Sequence, residues 1–109
     1  MDDLDKPMFE KQSAYEALTR LLDIAQRDTG QARRVANFLL AWHNAAENGG
    51  WDPTDFWNVD SAIAADMLIV LGLIRECHLY PDAMGFEREI QNVWKLWRGM
   101  LQNTDDKAR

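Results

Sequence analysis

From Ser61 to Ile74 the chain carries a single charge, Asp66, and Met67–Ile74 is an unbroken apolar run. That run is far short of the roughly 20 residues a membrane helix needs, so protein must cover it. Ile63, Met67, Val70, Leu71 and Ile74 recur at helical spacing, and Leu68, Ile69 and Leu73 form most of a second stripe. The spacing predicts a helix from about Ser61 to Cys77. The β-branched residues allow a buried strand over Leu68–Ile74, but Ala62, Ala64, Ala65 and the length favour helix. A helix apolar nearly all round is expected at the centre of its bundle. It also has more apolar faces than three neighbours would cover, which allows homodimerisation; full burial of every side in a monomer would remove that option.

The rest of the chain supplies neighbours for such a helix. Ser13-Ala14-Tyr15-Glu16 fits a capping box. Ala14, Ala17, Leu18, Leu21, Leu22 and Ala25 then mark a first helix to about Arg27. Glu16–Arg20 and Asp23–Arg27 are acid-before-base pairs on its outer face. Asp28-Thr29-Gly30 breaks it. A second helix is predicted from about Gln31 to Asn48, with Val35, Phe38, Leu39, Trp42 and Ala46 facing in and Gly49-Gly50 ending it. Asp52 before Pro53 reads as an N-cap and first helical position for one short turn. Leu79-Tyr80-Pro81-Asp82 is a turn. A fourth helix is expected from about Phe86 to Leu101, with Phe86, Ile90, Val93, Trp94, Trp97 and Leu101 inward. The expected organisation is therefore an acidic arm over 1–12, one all-α bundle of four main helices plus a short one over 13–101, and a polar tail over 102–109.

Composition narrows the function classes. One domain is all that 109 residues provide, so a cleft between two lobes is excluded. Twelve Lys and Arg against eighteen Asp and Glu give a net charge of −6. That argues against general affinity for phosphate backbones or anionic lipid. The single cysteine, Cys77, excludes an intrachain disulfide. The acidic start has no apolar signal segment and no stretch is long enough to span a membrane, so a cytoplasmic protein is expected.

Gly30-Gln31-Ala32-Arg33-Arg34-Val35-Ala36, Phe38-Leu39-Leu40-Ala41-Trp42, Trp57-Asn58-Val59-Asp60, Asp66-Met67 and Tyr80-Pro81-Asp82-Ala83 together resemble a domain-of-unknown-function family. Its members are short proteobacterial proteins carried on integrating conjugative elements and plasmids. The resemblance covers about Leu18 to Arg98. It implies a bacterial cytoplasmic protein of mobile DNA, and it supplies no activity, cofactor or catalytic residue.

Four constellations could carry chemistry. His43 and Glu47 stand at i,i+4 on the second helix, and His78 ends the third; with Asp52, Asp55, Glu76 or Cys77 they could build a metal site, although the spacing matches no zinc pattern. Asp66 in its apolar helix needs a cationic partner, and Arg33 or Arg34 is the expected one. The first helix, Asp28-Thr29-Gly30 and the second helix invite a helix-turn-helix reading. Gln31, Arg33, Arg34 and Asn37 suit base and phosphate contact, but Gly30 falls one place late and Asp28 takes an apolar position. Finally, Gly49–Trp57 holds three large aromatics, Trp51, Phe56 and Trp57. Any that is exposed is a binding anchor, while a plug for the bundle end is expected of two of the three.

Ser13 and Ser61 are helix-start residues, Cys77 and His78 point about 100° apart, and no glycine-rich phosphate loop is present, so nucleophilic chemistry is not supported. The sequence reading is a non-enzymatic interaction module: an accessory or regulatory protein of a bacterial mobile element, binding a protein partner without a cofactor. Arg33, Arg34, Trp51, Phe56 and Trp57 are its candidate partner-binding residues. The rivals are a small metal-dependent hydrolase using His43, Glu47 and His78, and a DNA binder through residues 31–37.

Overall fold

A computed structural model describes residues 10–99. The predicted tail over 102–109, most of the predicted arm and Leu101 lie outside them. The described residues form an all-α domain of four helices: α1 (Lys11–Ala25), α2 (Gly30–Asn48), α3 (Ser61–Cys77) and α4 (Glu87–Trp94). Short 3-10 turns occupy Pro53–Asn58 and Pro81–Met84, and a π turn, Lys95–Gly99, follows α4. The fourth helical segment is thus shorter as an α-helix than its periodicity predicts, because its last turn is underwound into the wider π geometry.

α1 starts at Lys11 with Glu10 as its N-cap, so Lys11 and Gln12 belong to the helix and not to an arm. The Ala14 N–H donates to the Glu10 carbonyl at 3.0 Å. Ser13 therefore sits inside the first turn, and the capping box predicted there does not begin the helix. At the other end α1 stops at Ala25, two residues early, where Gln26 and Arg27 donate to Asp23 and Ile24 in a tightened turn. Thr29 then caps α2, its hydroxyl accepting from the Ala32 N–H at 2.9 Å. That bond satisfies one of the orphan amides of a helix start, as an N-cap should.

The centre of the bundle is α1 and not α3. α1 packs on α2, α3 and α4, whereas α3 packs chiefly on α1 among the described elements. The reason lies in the alanines. Ala14, Ala17 and Ala25 are buried alongside Leu18, Leu21 and Leu22, and small side chains let several helices approach one axis at once. The core continues through Val35, Ala36, Phe38, Leu39 and Leu40 of α2, Met67, Val70 and Leu73 of α3, and Ile90 and Val93 of α4. Arg20 reaches Asp66 while Lys11 and Ala14 lie beside Cys77, so α1 and α3 run antiparallel.

α2 is not one straight helix. Asn44 is extended, at φ −167° and ψ 86°, and breaks it. The Asn44 Oδ1 accepts from the Glu47 N–H, and its Nδ2 donates to a Glu47 carboxylate oxygen at 3.2 Å. This is a capping pair that starts a new turn. Asn48, only 7% exposed, closes the kink by donating from Nδ2 to the Leu40 carbonyl at 3.0 Å. The turned-out end explains why Ala46, predicted inward, is exposed.

The connection from Gly49 to Asp60 runs back along α2 and does not cross the bundle end. Its aromatics pack edge-on: Trp51 lies 4.9 Å from Phe38 and 5.3 Å from Phe56 between ring centroids. Arg34 faces Asp55 at 3.5 Å, and the Gln31 Oε1 accepts from the Asp60 N–H at 2.6 Å. The Asp52 carboxylate accepts from both the Thr54 N–H and its hydroxyl, which starts the Pro53–Asn58 turn.

Candidate interaction surface

The structure disperses the metal constellation. The Asn44 break separates His43 from Glu47, so they no longer share one helical face, and Glu47 is engaged by Asn44. His43 is half-buried on α2, with its Nδ1 lacking a hydrogen-bond partner. His78 is exposed at the end of α3 in a left-handed conformation, its N–H donating to the Ile74 carbonyl. Among the described residues no three His, Cys, Asp or Glu side chains gather where they could hold a metal ion.

The polar residues of the helix-turn-helix reading are mostly occupied inside the molecule. Gln31 holds Asp60 and Arg34 faces Asp55. Asn37 accepts from the Arg98 guanidinium at 2.8 Å. Arg98 also donates to the Asn48 and Trp97 carbonyls, and burial lowers its pKa below the ordinary arginine value. Only Arg33 of the set is exposed, on a groove that it shares with Arg27, Asp28 and Trp97. Of the five predicted partner-binding residues, Arg34, Trp51 and Phe56 therefore tie the 49–60 connection to α2. Arg33 and Trp57 face solvent, and Trp57 is 80% exposed.

The partner of Asp66 is also not the expected one. Neither Arg33 nor Arg34 reaches it; Arg20 of α1 does. The Arg20 Nε and Nη2 each donate to one carboxylate oxygen at 2.9 Å. α3 packs on α1, so the cation that meets Asp66 must come from α1. Arg20 thereby spends its hydrogen bonds on Asp66 and feels Glu16, its i,i+4 neighbour, as a weaker charge, whereas Arg27 keeps the predicted bond to Asp23, at 2.8 Å. Bonding and charge from Asp66 raise the Arg20 pKa above its ordinary value.

This pairing turns the only charge in the apolar stretch of α3 toward α1. The opposite side of the helix has no charge between Ser61 and Arg75. Ala65 is exposed there, Leu68 is 54% exposed, and Ala64 and Leu71 are half-covered at its margins. Trp57 lies shortly before α3, and Leu79 and Tyr80 lie shortly after it. These three and Leu68 are four of the five large apolar side chains exposed among the described residues; Leu96 is the fifth. Sequence reading saw the surplus of apolar faces on this helix but could not say which face stays uncovered.

Fold and surface define a small helical domain with a partly exposed apolar helix face. The chain belongs to a family of unknown function, DUF7673, whose sequence pattern matches residues 15–98. No curated protein and no solved structure gives a significant match. No helix of the described residues is long and apolar enough to cross a membrane.

Proposed function

We propose that this protein is a protein-interaction module that works through the outward face of α3. The observation that carries the reading is Leu68. It is a leucine more than half exposed at the middle of a helix whose outer side bears no charge for fourteen residues, Ser61 to Ile74. Single exposed leucines are ordinary, but a neutral helical face, with exposed Trp57, Leu79 and Tyr80 just before and after the helix in sequence, has the composition of an interface, where aromatic anchors are favoured and charge is depleted. An accessory or regulatory role in a cytoplasmic protein of a proteobacterial mobile element fits this reading. Such a protein would act by occupying a partner, without cofactor or chemistry of its own.

The test compares capture of proteins from host lysate by the native chain and by Leu68→Lys, each with and without nuclease. A partner held by the native chain, resistant to nuclease and released by Leu68→Lys, is the expected result. Identical capture by both chains, or retention that disappears with nuclease, overturns the reading.

A further inference from the structure

We infer that the groove between the α1–α2 turn and the π turn binds a small aromatic phosphomonoester, with the nucleoside monophosphates as its natural class. The inference is independent of the α3 face.

The first observation is a pair of cations without anions. Arg98 is partly buried, and its hydrogen bonds go to neutral acceptors: the Asn37 Oδ1 at 2.8 Å, the Asn48 carbonyl at 3.1 Å and the Trp97 carbonyl at 3.3 Å. Among the described residues no carboxylate pairs with it. A covered charge is ordinarily paired. A guanidinium carries five N–H groups, so Arg98 has donors left to share. Arg33 is exposed and has neither a hydrogen bond nor an ion pair among the described residues. It precedes Asn37 by one turn on the same face of α2, so Arg33 adjoins the position that Arg98 reaches. Arg27, on the same groove, already holds Asp23. Two cations therefore lack an anion in a chain whose net charge is −6.

The second is the shape and lining of the groove. It encloses about 650 Å³, within the range of about 300–1,000 Å³ usual for small-molecule sites. Leu96, Trp97 and Arg98, successive residues of the π turn, all line it. π turns recur at functional sites. Trp97 is held in place, because its indole N–H donates to the Ala25 carbonyl at 2.6 Å. With Leu96, 41% exposed, it gives the groove apolar residues next to Arg98. Aromatic side chains stack on nucleobases, and guanidiniums bind phosphate through paired hydrogen bonds.

The third is the kind of anion. A phosphomonoester carries a charge of about −1.5 to −2 at neutral pH. That answers both arginines, whereas a carboxylate answers one. Asp28 lines the groove from the turn before α2, on the other side of Arg33 from Asn37 along the chain. It is exposed and has no bonding partner among the described residues. It repels a further phosphate at that end and can accept from a hydroxyl or amino group instead. The net charge disfavours a long polyanion. A nucleoside monophosphate offers what remains: one phosphate, sugar hydroxyls and an aromatic base.

Isothermal titration calorimetry of the full chain with adenosine, guanosine, cytidine and uridine monophosphates tests this. At least one should bind at a single site, with its nucleoside and inorganic phosphate each at least tenfold weaker. Arg33→Ala should weaken binding at least tenfold, and no bond within the chain depends on Arg33. Arg88→Ala removes an equal charge from an exposed residue outside the groove and should leave binding unchanged. In proton–nitrogen NMR spectra the Trp97 indole signal, assigned from Trp97→Phe, should move on titration while that of Trp42 stays. The absence of binding at millimolar concentration overturns the proposal, as does equal weakening by Arg33→Ala and Arg88→Ala. Inorganic phosphate binding as tightly as any nucleotide removes the aromatic recognition and overturns it too. An oligonucleotide far tighter than every monophosphate overturns it in favour of nucleic acid.

Discussion

Arg20 grips Asp66 with two parallel hydrogen bonds of 2.9 Å, across 46 residues of sequence. The pair is asymmetric: the Arg20 side chain is 56% exposed, whereas that of Asp66 is 13% exposed. It locks the register between α1 and α3, and it decides which face of α3 is left neutral. The outward face carries Leu68 because the inward one carries Asp66.

That asymmetry gives a prediction. Arg20→Ala strands a mostly covered carboxylate, whereas Asp66→Ala leaves a guanidinium that water can reach. Removing one partner of a covered pair costs more when the remaining charge cannot be solvated. The melting temperature should fall by about 2–5 °C in Arg20→Ala and by less in Asp66→Ala. The double variant should be no worse than Arg20→Ala alone. Thermal unfolding of the three variants checks this, and strictly additive losses would refute the coupling.

Asn48 is a second point of leverage. Its side chain donates to the Leu40 carbonyl, and its own carbonyl accepts from the Arg98 Nε at 3.1 Å. Asn48→Ala leaves a buried carbonyl without its donor at the kink. A loss of about 1–3 kcal/mol is expected by urea unfolding. A loss below that range would mean that the kink stands without Asn48.

The two tryptophans of the 49–60 connection should behave in opposite ways. Trp51→Ala removes a ring wedged between Phe38 and Phe56 and should cost about 3 kcal/mol or more. Trp57→Ala removes a ring that touches little within one chain, and the dilute monomer should change by less than about 0.5 kcal/mol. Chemical unfolding at low concentration separates the two.

Asp52 supplies a pH dependence. Bonds from the Thr54 N–H and hydroxyl lower its pKa below the usual carboxylate range. A group whose folded pKa is depressed stabilises the fold above its unfolded pKa, and that contribution is lost as pH falls through the folded value. Asp52→Ala should therefore melt below the native chain near neutral pH. The two curves should converge once the pH is well below about 4. A difference that persists undiminished in acid would place the role of Asp52 elsewhere.

Much of the fold is written in local pattern. The apolar spacing of Ala14–Ala25 and Val35–Leu39 requires helices, because only helical geometry puts those side chains on one side. Asp52-Pro53 and Pro81 mark turns for reasons internal to the residues, and Asp23 meets Arg27 because the tightened turn after α1 keeps the two within reach. The sequence also determined that α3 is apolar on more sides than a small bundle covers. It could not determine which helix is central, since that depends on how closely axes approach, and the alanines of α1 act only in the presence of neighbours. Nor could it assign Asp66 to Arg20, or separate His43 from Glu47. The first depends on which helices pack together. The second depends on Asn44, whose side chain bonds Glu47 and whose extended backbone breaks a pattern that otherwise reads as continuous helix. Tertiary packing alone decided that Trp51 and Phe56 are bound to α2 while Trp57 and Leu68 face outward, because exposure is a property of what lies opposite a side chain and not of the side chain itself.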